Sequence, residues 1–220
     1  GASLLLRLES ITISRVTVTG LGVLTESEIR PRVDEMLAGA DAFFIPKQSS
    51  FFYPEGGIEK DLSEHFKRIK DVEVSRDGLT GITVLVEERK PFAQWCRVEK
   101  CFFLDQDGFV FAESPTYTGD VYFKYEGAIT DENPIGATYI SPEEFRTLEL
   151  FVTSMKRIGF DSISLSLAND EFFLGLPDGG KIIFVRGMSL DTVVNASETA
   201  LTSETFKERS LAELDYLDLR

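Results

Sequence analysis

Apolar residues alternate within each half of Ile11-Thr-Ile-Ser-Arg-Val-Thr-Val-Thr19, and the run ends at Gly20 and Gly22. This predicts a strand followed by a turn. Thr25 and Glu28 form a capping-box pair, after which Ile29, Val33, Met36 and Leu37 recur at helical spacing before Gly39. Pro31 lacks an amide hydrogen, so this helix either bends there or starts at Pro31 itself. Ile58, Leu62, Phe66 and Ile69 share one face of a second helix. Between the two lies an aromatic-rich loop, residues 43–57, with Phe43, Phe44, Phe51, Phe52 and Tyr53. It either folds back onto its own domain, the favoured reading, or offers a docking surface. Strands are predicted at Val72–Ser75 and Ile82–Glu87, with Ile82, Val84 and Val86 on one face. Two helices on one face of a three-stranded sheet, in the order β-α-α-β-β, would bury all of these stripes.

The second half continues in the same manner. Asp105-Gln-Asp-Gly108 reads as a hairpin turn between apolar runs. Ser141-Pro-Glu-Glu144 opens a helix with Phe145, Leu148, Val152, Met155 and Ile158 inward and Gly159 as its stop. Strands at Ile163–Leu167 and Phe172–Leu176, an Asp178-Gly-Gly180 turn and a strand at Lys181–Val185 follow. A last helix near Leu190–Ser203 precedes Tyr216-Leu-Asp-Leu-Arg220. The fold class is α+β, and 220 residues accommodate two domains.

Charge narrows the range of partners. With 23 Lys and Arg against 37 Asp and Glu, the formal charge is −14. Nucleic acid is excluded as a partner and anionic headgroups are expected to repel the chain, because both forms of binding rest on clustered cations. No run approaches the roughly 18 apolar residues of a membrane span, since Leu4–Leu6 is broken by Arg7. Gly1 and Ala2 read as a cloning scar, so natural sequence is expected upstream. Catalytic residues are expected to be none: the one histidine, His65, lies beside the apolar face of its helix without an orienting partner. No metal and no cofactor are expected either. Asp105–Gly108 lacks the later ligands of a calcium loop, Pro177–Lys181 lacks the spacing of a phosphate loop, and the sequon Asn195-Ala-Ser197 falls in a helical stretch.

Val72-Glu-Val-Ser-Arg76, and then Ile82-Thr-Val-Leu-Val-Glu-Glu-Arg-Lys-Pro-Phe-Ala-Gln-Trp95, resemble the end of the POTRA domain in the bacterial cell-division family FtsQ/DivIB. The signature Glu-Arg-x-Pro-x-Ala-x-Trp, here Glu88, Arg89, Pro91, Ala93 and Trp95, is the most specific part. Leu104–Phe111 is similar to the family's aspartate-and-glycine hairpin, with Gly108 left-handed, and Tyr216–Arg220 is similar to its Tyr-x-Asp-Leu-Arg ending. Two departures are the Asp77-Gly-Leu-Thr80 segment and the long aromatic loop.

The resemblance implies residues 1–9 as scar and membrane-proximal linker, a POTRA domain over 10–91 and an FtsQ-type β domain, mostly antiparallel with helices, over 92–220. It implies a non-enzymatic scaffold that recruits divisome proteins of the FtsB/FtsL type. Such a protein is single-pass in the cell membrane, with this region extracytoplasmic at the septum and the membrane reached only through an N-terminal span absent from this chain. The alternative is a POTRA-bearing chaperone or transporter accessory for secreted or outer-membrane proteins. In an oxidising setting, Cys96 and Cys101, flanking a four-residue hairpin connection, are expected to form a disulfide; free thiols are the alternative. The expected partner-binding edge is the C-terminal strand: Leu214, Tyr216, Leu217, Asp218, Leu219 and Arg220. Longer relatives continue past this point, so the competing readings are a paired strand with no partner role, or binding through the aromatic loop.

Overall fold

The computed structural model describes residues 12–38, 49, 51–98, 100–203 and 215–220. The fold is α+β, and the chain divides into two compact units, Gly1–Arg89 and Lys90–Arg220.

The first unit follows the predicted β-α-α-β-β order: β1 (Arg15–Thr19), α1 (Glu26–Leu37), α2 (Glu55–His65), β2 (Ile69–Asp77) and β3 (Gly81–Glu88). β3 is central, parallel to β1 and antiparallel to β2. The register sets Val16 beside Ile82, and Val74 beside Val84, on one face of the sheet. Ile29, Val33 and Leu37 of α1 and Ile58 and Leu62 of α2 close over that face as a single core. Arg32 of α1 reaches Asp61 of α2 through two guanidinium nitrogens, at 2.5 and 3.1 Å, tying the helices together.

Two sequence expectations are corrected here. The first helix does not start at Pro31. The Thr25 amide donates to the Glu28 carboxylate at 2.8 Å, fixing the start at Glu26 and leaving Pro31 inside the helix. The apolar stripe of the second helix also overruns the element, because α2 stops at His65 and Ile69 is already the first residue of β2.

In the second unit, β4 (Ala93–Arg97), β5 (Lys100–Leu104), β6 (Val110–Ser114), β7 (Lys124–Gly127), α3 (Pro142–Arg157), β8 (Ser164–Ala168), β9 (Glu171–Gly175), β10 (Lys181–Val185), α4 (Leu190–Thr202) and β11 (Tyr216–Asp218) build one mixed sheet. Its strand order is β11-β10-β9-β8-β7-β4-β5-β6. The connections β7-α3-β8 and β10-α4-β11 join parallel neighbours, whereas the remaining pairs, β4 with β7 excepted, are antiparallel. Trp95, Tyr125, Leu165, Leu174 and Ile182 face the helices and meet Phe145, Leu148, Phe151 and Met155 of α3. Ser141 caps α3 by accepting from the Glu144 amide, and Gly159 ends it with φ +108°. The β8–β9 hairpin turns on Asn169 and Asp170, both left-handed, as a two-residue turn between right-twisted strands requires.

Candidate partner-binding edge

The signature residues have structural work within each unit. Glu88, at the end of β3, accepts backbone amide bonds from Gly22, Val23 and Leu24 at 2.7 to 3.0 Å, fastening the β1–α1 loop. Burial pushes the carboxyl upward, but the three amides outweigh it and hold its pKa below the ordinary glutamate value. The loop can turn there because Gly20 has φ +82°, with its α-carbon so near the Val86 carbonyl that a Cβ would stand 2.1 Å from the oxygen. Trp95 is fully buried and donates from Nε1 to the Gly127 carbonyl at 2.8 Å. Asp105 accepts from the amides of Asp107 and Phe109 at 2.9 and 3.0 Å, and Gly108, at φ +72°, lies under the Phe145 ring. The Asp105–Gly108 motif is thus a hairpin brace.

Cys96 and Cys101 stand directly opposite each other in the β4–β5 ladder with Cα atoms 4.1 Å apart and sulfurs joined. His65 is exposed, its ring edge-on to Phe66. Among the described residues no group of His, Cys, Asp and Glu could hold a metal ion, and no helix is long and apolar enough to cross a membrane.

β11 is the terminal strand of the larger sheet and runs parallel to β10, with Tyr216 opposite Lys181, Leu217 opposite Ile182 and Asp218 opposite Ile183. The Lys181 amide donates to the Asp215 carbonyl at 3.2 Å, and the Leu219 amide to the Ile183 carbonyl at 2.9 Å. Odd-numbered residues therefore spend their main-chain groups on β10. By alternation, the N–H and C=O of Tyr216 and Asp218 point away from the sheet. Leu217 and Leu219 are half-buried against the helix-side core, while Tyr216, Asp218 and Arg220 are exposed on the other face. Leu214 lies outside the described residues.

Arg220 ties this edge to β9. Its guanidinium donates to Asp218 at 2.9 and 2.6 Å and to Glu171 of β9 at 2.9 Å, bridging across β10. Its hydrogen bonds push the Asp218 carboxyl down to about 2. Sequence patterning located the alternation of β11 but missed Glu171, two strands away in space and 49 residues away in sequence. Only the sheet order brings the two together.

A groove of about 610 Å³ lies between α3 and the start of α4, walled by Leu148, Phe151, Met188, Leu190 and Val194. Glu144 at its rim is held by Arg186 at 2.8 and 2.6 Å.

The aromatic loop is split by the structure. Tyr53 packs on the core of the first unit, and burial together with a bond to Glu55 raises its hydroxyl to about 12. Phe51 and Phe52 are exposed, whereas Phe43 and Phe44 lie outside the described residues.

No family model matches the chain. A relative named Cell division protein FtsQ, from Streptomyces bingchenggensis (strain BCW-1), is 26% identical over 183 residues, which is 79% of this chain. The chain spans 62% of that relative's length.

Proposed function

We propose, for a chain that is FtsQ/DivIB-like, that it acts in cell division as a non-enzymatic scaffold, and that β11 is where a partner adds a strand. Its partners are divisome membrane proteins of the FtsB/FtsL type. An N-terminal span holds it in the cell membrane with this region on the extracytoplasmic side, the first unit being its POTRA domain and the second its β domain. An extracytoplasmic site also suits the Cys96–Cys101 bond, which persists where thiols are not kept reduced.

The observation that carries the reading is the outward main chain of Tyr216 and Asp218 on a strand whose far side pairs with nothing among the described residues. Such an edge gives an incoming strand main-chain hydrogen bonds for affinity, while flanking side chains supply selection. A partner strand here would lie with alternate residues beside Leu217 and Leu219 on one face, and beside Tyr216, Asp218 and Arg220 on the other. The name of the relative supports the cell-division role and does not favour a chaperone or transporter accessory.

Proline substitution separates this edge from the fold. Tyr216→Pro removes an outward donor and leaves the bonds to β10 in place, whereas Leu217→Pro removes an inward one and damages the strand itself. Pull-down of FtsB/FtsL-type partners should be lost with Tyr216→Pro at an unchanged melting temperature. Undiminished capture by that folded variant would refute the assignment.

A further inference from the structure

Among the described residues of the first unit, three of the five exposed large apolar side chains gather at one end, while Leu85 lies along β3 and Val23 at the other end. The β2–β3 turn carries Leu79, 58% exposed, just beyond Gly78 with its φ of +70°. Phe51 and Phe52, 51% and 53% exposed, belong to the same end: the Arg76 guanidinium lies 5.1 Å from the centre of the Phe51 ring, three residues before Leu79. Thr12 bridges Ser49, and the Ser14 and Arg15 amides both donate to the Thr80 carbonyl. The chain therefore enters β1 at the end where these three side chains stand.

The charge of the first unit is compatible with contact with zwitterionic lipid, though not with anionic lipid. The first unit has 11 basic and 15 acidic residues, a modest excess. Asp77, in the stretch between Arg76 and Leu79, is paired with Arg15 at 2.8 Å, and Glu55 accepts from the Tyr53 hydroxyl at 3.1 Å. Arg76 adds a cation beside the aromatic pair, and phosphate headgroups favour that arrangement. The far end differs. There the β1–α1 loop carries Val23, 67% exposed, beside the Glu88 carboxylate. The eight residues of β3 separate the two ends by roughly 23 Å at strand rise.

We propose that Phe51, Phe52 and Leu79, with Arg76, form a lipid-contacting end that seats the first unit on the headgroup layer of the membrane. The inference rests on the N-terminal anchoring proposed above, because three side chains bind lipid weakly alone. An anchor entering at this same end raises their effective concentration at the surface. Seated in this way, the unit stands with its β1–α1 loop directed away from the bilayer.

The test uses the whole chain with an N-terminal hexahistidine tag, held on phosphatidylcholine vesicles containing a nickel-chelating lipid in place of the natural anchor. Phe52→Cys, Leu79→Cys and Val23→Cys each introduce one free thiol, the native pair being joined, for an environment-sensitive fluorophore. On tethering, the Phe52 and Leu79 probes should brighten by about twofold as they leave water and be quenched by headgroup-level nitroxide lipid, while the Val23 probe does neither. Three dark probes, or equal responses at both ends, overturn the proposal. So does a Phe51→Ser/Phe52→Ser variant that loses capture of a division protein while the Phe52→Cys and Leu79→Cys probes ignore lipid, since that outcome assigns the patch to a protein. Vesicle contact is read without any division partner, so its failure leaves the β11 assignment standing, and loss of that assignment leaves the vesicle result unaffected.

Discussion

The two margins of the eight-stranded sheet are treated differently. At the start of β6 the margin is covered: the Val110 amide donates to the Ala137 carbonyl at 2.9 Å, the Gly136 amide to the Val110 carbonyl at 2.8 Å, and Phe109 bridges Thr138. Side chains close it as well. Val110 and Phe111 are buried, Phe103 stacks on Phe111, and Tyr122 meets Phe103 edge-on. Buried Gln94 donates to Ser114. At β11 the strand is three residues long, Tyr216 is 64% exposed, and no main-chain cover lies beyond it among the described residues. An uncovered edge invites pairing, and proteins ordinarily blunt such edges. Here β11 is short and flanked by an Arg220–Asp218–Glu171 network, which suits selective pairing better than open-ended association.

The largest effect that should sharpen this contrast lies on the covered side. Phe145 packs against Tyr125, Tyr139 and Phe92 and covers Gly108 at the hairpin that feeds β6. Phe145→Ala should cost about 3–5 kcal/mol in denaturant unfolding. Partner capture by the fraction still folded should be retained, since β11 is not touched.

A smaller loss is expected from Cys96→Ser/Cys101→Ser, on the order of 1–3 kcal/mol because the closed loop is short. Chemical denaturation with and without reductant checks it: reductant should lower the wild-type midpoint and leave the variant unchanged.

Acidity separates the interior from the open edge. Burial raises the pKa of Glu149 on α3, and its hydrogen bond with the Tyr125 hydroxyl only partly offsets this. A raised folded-state pKa gives a contribution that is present below the ordinary carboxyl range and lost as pH rises through the folded value. Glu149→Gln should therefore raise the melting temperature at pH 7 and flatten the dependence above pH 4.5. Asp218 has the opposite sign, its contribution being lost only as pH falls through about 2. Partner binding should consequently be insensitive to Asp218 between pH 7 and pH 4, as calorimetric titration would show.

The smallest effect concerns the turn beside the disulfide. Val98 is left-handed at φ 58° and almost fully exposed, a costly conformation for a β-branched residue. Val98→Asn should stabilise the second unit by roughly 0.5–1 kcal/mol, read as a higher unfolding midpoint.

Local signals in the sequence carried much of this architecture. The Thr25–Glu28 pair, Ser141 with Pro142, and Gly159 mark real helix ends because capping is decided within one turn. Alternation located β3 and β8, and short apolar runs bounded by turn residues located β9 and β10, for the same local reason. Patterning missed β7, whose Lys-Tyr-Glu-Gly sequence has no apolar alternation and is held in place by neighbours on both sides. It also left out Phe151, which is buried with Phe145, Leu148 and Met155, while Val152 packs half-buried on the same core as expected. At the edge, the inward leucines of β11 were legible, but the strand's terminal place and the reach of Arg220 to Glu171 depend on sheet order, which no local pattern encodes.

Amide hydrogen exchange on the second unit, with and without a soluble FtsB/FtsL-type partner, tests the central claim most directly. Binding at β11 should slow exchange at Tyr216 and Asp218, whose N–H groups point outward, and leave Val110 and its neighbours on β6 unchanged. Protection confined to the α3–α4 groove, or to β6, with Tyr216 and Asp218 exchanging as in the free protein, would contradict it.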